Sequence, residues 1–297
     1  MKARLLPILP AAMLAGCAEA APPPVSATSP AVPTPALIAA GAASPTSADF
    51  QLVGKLEQGA LVRGRVPAGA AALTLDGQAV PVAPDGSFLL GFDRDQPAVA
   101  VLTATSSTGG PLRQELRVAP RGWKVEHVNV AQRPPGSNED YRLRRERELA
   151  RIAAARALPV ESDGWRQNFV WPAKGRISGV FGSQRVYRGE PGAYHSGTDI
   201  AAGAGAPVVS PADGVVVLAG GAPFSLEGNL VIVSHGMGLN SAFLHLASVA
   251  VEEGQPVKQG QRVGAVGATG RATGPHLHWS MKWRDARIDP EFLLKPH

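Results

Sequence analysis

Three short histidine motifs between residues 195 and 278 contain side chains of the types that hydrolytic metal chemistry uses. A catalytic zinc ion takes three protein ligands, commonly imidazole or carboxylate groups, and leaves one position for water. A single His is more often an ordinary polar residue than a ligand, but three such motifs in order are far less common by chance. The sequence therefore predicts a metal site. The motifs are His195-Ser-Gly-Thr-Asp199, Phe243-Leu-His245-Leu and Gly274-Pro-His276-Leu-His278-Trp.

The last motif has the spacing of a β-strand. Residues two apart in a strand face the same side, so His276 and His278 should converge on one point while Leu277 packs into the sheet. One of the two rings could then bind metal while the other transfers protons.

Residues 171–294 resemble the lysostaphin-like, or LytM-type, zinc metallopeptidases, which cut peptide cross-links of peptidoglycan. The resemblance rests on the three motifs and on several stretches around them, and together these are highly specific. The further stretches are Phe181-Gly-Ser-Gln-Arg185, residues 205–214, Ser234-His-Gly-Met-Gly238 and residues 267–278.

The resemblance implies a role for each histidine motif. His195, Asp199 and His278 would be the zinc ligands, with water in the fourth position. His276 would be the general base, and His245 would orient or stabilise the oxyanion of the tetrahedral intermediate. The implied activity is a zinc-dependent endopeptidase that hydrolyses peptide cross-links of peptidoglycan.

Three positions depart from the common family pattern. Phe243 stands where Tyr is usual, Ser241 where Thr is usual, and Ser280 where Glu often follows the His-Leu-His-aromatic run. None of them removes a predicted ligand or catalytic His. Loss of a carboxylate behind a metal ligand can still weaken metal affinity by ~10 to 100-fold.

Two polar residues near the motifs allow more than one role. His235 lies in a predicted turn after a buried strand, where a structural role is favoured over a catalytic one. Arg185 could bind a substrate carboxylate or could form a salt bridge within the protein.

Two other classes of function remain open. LytM-type domains that have lost ligands act as non-catalytic regulators that activate cell-wall amidases, although here the ligands survive. Alternatively, the chain is a wall-binding structural lipoprotein in which the first β domain dominates and the zinc site is vestigial or merely stabilising.

Short segments of strand character, separated by Gly-containing turns, predict that residues 164–297 form a β domain. The resemblance implies a LytM-type antiparallel domain of the duplicated hybrid motif type. The predicted strands cover residues 177–181, 207–210, 215–218, 230–234, 241–246, 263–266 and 277–283.

Upstream, residues 49–120 alternate apolar and polar positions, as at Val99 and Val101, which predicts a small β-sandwich that acts as a spacer or interaction module. Residues 121–163 form a linker with one helix, capped by Ser137 and ended near Pro159. Leu149, Ile152 and Ala153 mark its apolar stripe. The helix would join the two β domains or bind a partner, and auto-inhibition of the catalytic domain by this upstream region is a further hypothesis.

The N-terminus predicts export and anchoring. Residues 1–16 have the charged and apolar regions of a signal peptide, and Leu14-Ala15-Gly16-Cys17 resembles a lipobox. Cys17, the one Cys of the chain, would carry the lipid anchor, and Pro/Ala-rich residues 17–48 would form a tether. The resemblance and Ala18 favour the outer membrane of a Gram-negative cell, facing the periplasm. An ordinary cleaved signal peptide with a chance Cys is the alternative.

Charge argues against nucleic acid as a partner. The formal net charge is +5 at pH 7, and much of the positive charge lies between Arg142 and Arg156, in a pattern typical of a solvated helix face. The expected partners are peptidoglycan, the membrane through Cys17, and cell-wall or division proteins.

Overall fold

The computed structural model describes residues 49–106, 110–132, 138–220 and 222–294. The predicted signal peptide, Cys17, the tether and Ser137 lie outside these residues. The described part is mostly β-strand with one α-helix, which confirms the predicted fold class. It contains no helix that is long and apolar enough to cross a membrane.

The first β domain is a sandwich of two antiparallel sheets, in the orders β1-β2-β5 and β4-β3-β6-β7. Side chains from both sheets, including Phe88 and Leu102, are fully buried in one core. Its strands are β1 (Gln51–Val53), β2 (Leu61–Arg65), β3 (Ala70–Leu75), β4 (Gln78–Ala79), β5 (Ser87–Gly91), β6 (Val99–Ser106) and β7 (Leu112–Arg117).

Strand β6 buries the face opposite to the one that its valines indicated. Ala100, Leu102 and Ala104 point into the core, whereas Val99 is 48% exposed. A strand with apolar residues on both faces does not specify its inward face by alternation alone, and here the alanines and Leu102 fill the space between the sheets.

The C-terminal β domain is built around one antiparallel sheet of eight strands. Its order is β18-β14-β15-β16-β20-β12-β9, and β21 also pairs with β20. A smaller sheet has the order β13-β19-β17. The strands are β9 (Arg176–Gly179), β10 (Gln184–Tyr187), β11 (Glu190–Pro191), β12 (Thr198–Ala201), β13 (Pro207–Val209), β14 (Gly214–Leu218), β15 (Asn229–Ser234), β16 (Leu239–Leu246), β17 (Ser248–Val249), β18 (Pro256–Val257), β19 (Arg262–Ala265), β20 (Leu277–Trp283) and β21 (Ala286–Ile288).

Strand β20 divides its side chains between the two faces of the large sheet. Its odd-numbered residues, among them Leu277 and Trp279, belong to the main core. His278 alternates with them and therefore lies on the opposite face. That face also carries Ile232 and Ala242, which belong to a second apolar cluster covered by the helix.

The helix α1 (Glu139–Ala157) is capped by Asn138, whose side chain accepts a hydrogen bond from the Tyr141 amide. The cap is thus one residue later than predicted, because Asn138 supplies the acceptor that was expected from Ser137. The helix ends before Pro159, as predicted, because Pro restricts the residue before it to extended backbone.

The apolar stripe of α1 differs from the predicted one. Ile152 and Ala155 are buried against β14 and β15, while Leu149 is 50% exposed and Ala153 is also exposed. A helix has 3.6 residues per turn. Toward the N-terminus, the face that carries Ile152 and Ala155 continues through polar rather than apolar residues.

The two β domains pack on a shared core rather than lying apart. A Cβ added at Gly91 of β5 would lie 2.9 Å from atoms of both Trp283 and Ile288. Arg63 of β2 donates hydrogen bonds to the carbonyls of Trp165 and Gln167. The linker adds strand β8 (Val125–Val128), which pairs in parallel with β10. The predicted domain boundaries themselves stay a prediction.

His235 is a fully buried structural residue of the C-terminal domain. Its Nδ1 lies 2.8 Å from the Asp213 carbonyl, which can only accept, so Nδ1 carries the hydrogen. Its Nε2 then accepts from the Ser241 hydroxyl at 2.8 Å. Burial lowers the pKa of His235 to about 4, which keeps the ring neutral.

We predict that His235 makes the free energy of unfolding fall as the pH falls from about 6.5 to about 4. In that range the unfolded chain binds a proton at this residue and the folded protein does not, so acid favours unfolding, by about 3 kcal/mol at most. Urea unfolding of metal-free wild type and His235→Gln at several pH values measures the difference. If the free energy of unfolding depends on pH equally in the two proteins, the prediction is wrong.

Candidate metal centre

Pairing between β12 and β20 places Asp199 directly opposite His278. Directly opposed residues in an antiparallel pair have adjacent side chains on the same face of the sheet. Asp199 Oδ1 consequently lies 2.8 Å from His278 Nδ1. The backbone register alone brings two of the three predicted ligands together.

His195 reaches the same point from the loop that precedes β12. Its Nε2 lies 3.0 Å from Asp199 Oδ1 and 3.0 Å from His278 Nδ1. Its Nδ1 lies 3.0 Å from the Val180 carbonyl, which accepts the hydrogen and so leaves Nε2 to face the other two side chains.

These three donor atoms fit a metal ion. Two imidazole nitrogens and one carboxylate oxygen, mutually within 3.0 Å, bring lone pairs together that a bound cation would stabilise. Three ligands of these types are what a catalytic zinc site uses. The group formed by His195, Asp199 and His278 can therefore hold zinc.

The charges of the three side chains agree with this interpretation. Burial raises the pKa of Asp199, but hydrogen bonds from His195 and His278 outweigh it and hold the pKa far below its usual range. Burial, helped by the charges of His195 and His276, lowers the pKa of His278 in spite of its contact with Asp199. Burial opposes protonation of His195 too, yet the bond to Asp199 leaves its pKa above the usual value. A permanently ionised Asp199 thus faces two rings at the site.

Two glycines give the ligands their space. A Cβ at Gly179 of β9, which pairs with Asp199, would lie 2.4 Å from Asp199 Oδ2. A Cβ at Gly197 would lie 2.8 Å from His278 Nε2. Both distances are impossible for real side chains, so glycine at these positions lets the ligands approach the backbone closely.

His245 enters the site through a β-bulge. Regular alternation in β16 would place it in the core, on the side of Phe243 and opposite Leu244. Instead, the pairing of β15 with β16 shifts register near residue 230, and His245 has a φ of 64°. A bulge with left-handed backbone re-aims a side chain, and the ring lies 4.9 Å from that of His276 and 6.2 Å from that of His278.

Carbonyl groups fix the orientation of both non-ligand histidines. His245 Nδ1 donates to Thr269 O at 2.9 Å, and His276 Nδ1 donates to Gly274 O at 2.8 Å. Each neutral ring then presents an unprotonated Nε2, and that of His276 lies 3.8 Å from Asp199 Oδ1. Burial lowers the pKa of His245, which favours this neutral form.

Helix α1 supports the backbone of His245 from outside. Arg145 forms a two-pronged salt bridge to Glu227, at 2.6 and 2.7 Å, and also contacts Glu148. The Glu227 carbonyl accepts the amide hydrogen of His245 at 2.8 Å. Glu148 in turn binds the Ser225 amide and hydroxyl. These polar residues occupy the helix face on which sequence analysis expected only an apolar stripe.

A cavity of about 800 Å³ opens beside His195 and Asp199. Polar groups line it from β9, from β10, from the linker strand β8 and from the residue before β8, among them Ser178, Tyr187 and Lys124. Arg185, considered above as a carboxylate ligand, forms a salt bridge with Glu126 at 2.8 Å on the same wall.

All five predicted side chains, His195, Asp199, His245, His276 and His278, are together in the structure, and their chemical roles stay predictions. Sequence reasoning missed the groups that hold them. The Val180 and Thr269 carbonyls leave no signature in side-chain type, whereas Gly179 and Gly197 are a signal in the sequence that the backbone comes close to the ligands.

The chain shares sequence and fold with known peptidases. Residues 193–290 match Peptidase family M23. Peptidoglycan DD-endopeptidase ShyA of Vibrio cholerae is 41% identical over 39% of this chain and 26% of its own length. Cell division protein DipM of Caulobacter vibrioides is 38% identical over 48% of this chain and 24% of its own length. The chain thus spans about a quarter of the length of these curated relatives.

A crystal structure assigned to peptidase M23 from Pseudomonas aeruginosa has a similar fold over more of the chain than residues 193–290. It covers 84% of this chain and 94% of its own, with a TM-score of 0.58 and 29% sequence identity.

We predict that Gly179→Ala weakens zinc binding about tenfold or more, because the new methyl group would displace the Asp199 carboxylate. Gly203→Ala is the matched control, since a Cβ there would meet no atom within 4 Å. Calorimetric titration of the metal-free proteins with zinc measures the zinc affinity of each variant. Equal affinities for the two variants would show that the carboxylate does not need this space.

Proposed function

We propose that the chain is a zinc-dependent endopeptidase that hydrolyses peptide cross-links of peptidoglycan, because residues 193–290 match Peptidase family M23. One observation carries the proposal most directly. Three metal-binding side chains meet within 3.0 Å at the edge of an open polar cavity, with two further histidines beside them. The names of relatives such as Peptidoglycan DD-endopeptidase ShyA support the choice of substrate.

In this proposal His195, Asp199 and His278 hold the zinc ion. A bound zinc ion lowers the pKa of water toward ~7 and polarises the carbonyl of the scissile peptide bond. Asp199 offsets part of the ion's charge, and the Val180 carbonyl keeps His195 in the tautomer whose Nε2 faces the site.

His276 is the proposed general base. Its Nδ1 hydrogen is held by the Gly274 carbonyl, so a proton taken from water can go only to Nε2, on the side of the metal ligands. The same atom can later return that proton to the leaving amine.

His245 is the proposed stabiliser of the oxyanion. Such a role requires a hydrogen on Nε2, because the Nδ1 hydrogen is donated to the Thr269 carbonyl. Burial lowers the pKa of His245, so in this proposal the ring takes its Nε2 proton from solvent, and the proton that His276 takes from water stays available for the leaving amine.

The polar cavity beside the ligands is the proposed binding site for the substrate peptide. Its lining includes Ser178 and Ser183 and, on the β8 side, the charged residues Lys124 and Glu126. Peptidoglycan peptides carry both carboxylate and amine groups, which match such a mixed lining.

We propose further that the mature chain is an outer-membrane lipoprotein anchored through Cys17 and facing the periplasm, where it would meet cell-wall or division proteins. Residues 1–17 support this through their signal-peptide and lipobox pattern. Two or three acyl chains would provide stable anchoring. The similarity to Cell division protein DipM supports a partner of the division machinery.

A non-catalytic regulator of cell-wall amidases is less well supported. Regulators of that kind lack metal ligands, and here the ligands and both accessory histidines are in place. The same argument counts against a purely structural wall-binding lipoprotein.

We predict that the double variant His195→Ala, Asp199→Ala loses bound zinc and all measurable cleavage of isolated sacculi. Wild type should contain about one zinc ion per chain and release cross-linked muropeptide fragments. Mapping the digested muropeptides identifies the bond. His127→Ala, at an exposed residue outside the site, is the matched control. Cleavage that survives in the double variant would refute the proposal.

We predict a different outcome for His276→Ala, which removes the general base but no metal ligand. Zinc content should stay near that of wild type, while kcat should fall by ~10² to 10⁴-fold. Zinc analysis together with steady-state kinetics on a cross-linked peptide separates the two effects. If kcat stays within a few-fold of wild type, another group accepts the proton.

A further inference from the structure

We infer that the turn of the first β domain that follows β5, formed by Asp93 and Arg94, is a positioning element of the metal centre. The inference rests on the proposed metal site. It gives the first β domain a role beyond that of a spacer, because the turn holds the two segments that flank the ligand His195.

Arg94 extends from the first β domain into the C-terminal domain and is only 7% exposed. Its Nε donates to the Gly182 carbonyl at 3.0 Å, and its Nη2 donates to Gln184 Oε1 at 3.0 Å. The guanidinium also lies over the rings of Tyr194 and Trp123, at 4.9 and 5.5 Å from their centres. A buried Arg with fixed donors holds its partners in one geometry.

The segment that Arg94 binds is the one that orients His195. The Gly182 amide donates to the His195 carbonyl, and the His195 amide donates to the Ser183 carbonyl, both at 2.8 Å. The His195 ring donates to the Val180 carbonyl at 3.0 Å. Three hydrogen bonds therefore tie this ligand to residues 180–183, so the position of that segment sets the position of Nε2.

Asp93 fixes the other flank, at Tyr194. The Tyr194 hydroxyl donates to Asp93 Oδ1 at 2.8 Å and accepts from Arg287 at 3.1 Å. Asp93 Oδ2 accepts from the Arg287 amide at 2.8 Å, which links the turn to β21. Burial raises the pKa of Tyr194 to about 12, so the hydroxyl remains a donor.

The linker completes the support. The Trp123 ring packs on Gly182, where an added Cβ would lie 2.1 Å from the ring. The Gln184 amide donates to the Lys124 carbonyl, which begins the pairing of β8 with β10. Trp123 thus contacts both the guanidinium of Arg94 and the segment that orients His195.

This arrangement predicts the opposite of auto-inhibition. If the first β domain merely covered the catalytic domain, weakening the contact at Arg94 would raise activity. If the turn positions His195, weakening it lowers zinc affinity and turnover, because the ligand loses its fixed orientation.

The chain offers a matched control in Arg63. This residue joins the same two domains through three hydrogen bonds, to the carbonyls of Trp165 and Gln167. Neither acceptor belongs to the segments that flank His195. Arg63→Gln and Arg94→Gln thus both remove interdomain bonds of an arginine, but only Arg94→Gln removes support from the metal centre.

The test compares these two variants in the full mature chain, well below the unfolding temperature. We expect Arg94→Gln to weaken zinc binding about tenfold or more and to lower kcat with little change in KM. In the metal-free protein, amide hydrogen exchange at Gly182 and His195 should become faster. Arg63→Gln should lower thermal stability and change none of these three measurements.

The inference would be overturned if the two variants changed zinc affinity equally and changed the exchange rates of the Gly182 and His195 amides equally. Higher turnover in Arg94→Gln would also overturn it. If Arg94→Gln does not fold, Tyr194→Phe removes only the two hydrogen bonds of the hydroxyl, to Asp93 and from Arg287, and should weaken zinc binding in the same direction. An unchanged affinity in Tyr194→Phe would then overturn it. Zinc affinity and exchange need no substrate, so a wild type without peptidoglycan cleavage would refute the proposed function and leave this test intact.

Discussion

The metal centre depends on the register between β12 and β20. Pairing of Asp199 with His278 puts two predicted ligands on the same face of the sheet, and pairing of Asp199 with Gly179 on its other side leaves room for the carboxylate. A slip of one residue in either pairing would turn a ligand to the opposite face. The apolar neighbours prevent such a slip, because Ile200 and Leu277 are fully buried on the core side.

Main-chain carbonyls hold the remaining geometry. Val180, Thr269 and Gly274 each accept a ring hydrogen from His195, His245 and His276 in turn, so each ring has a defined orientation and one defined free nitrogen. These three rings are thus oriented by main-chain carbonyls of loops that lie next to the sheet.

Sequence reasoning predicted the features that follow from side-chain type and strand period. The mostly β fold follows from short apolar segments between glycines, and the shared side of His276 and His278 follows from their spacing. The bulge at His245 could not be predicted, since a φ of 64° at a non-glycine residue is imposed by its surroundings. The contacts of Arg94 and Arg145 were equally inaccessible, because charged residues in a turn or on a helix predict solvent exposure unless the partner segment is known.

The central claim is that His195, Asp199 and His278 bind one zinc ion together, and X-ray absorption at the zinc edge tests it most directly. For the zinc-loaded protein this account predicts four-coordinate zinc, with two imidazole nitrogens and one carboxylate oxygen at about 2.0 to 2.2 Å and one further oxygen from water. In the His278→Ala variant one imidazole should be lost from the spectrum. A zinc shell with no imidazole scattering, or one unchanged in His278→Ala, would contradict the account.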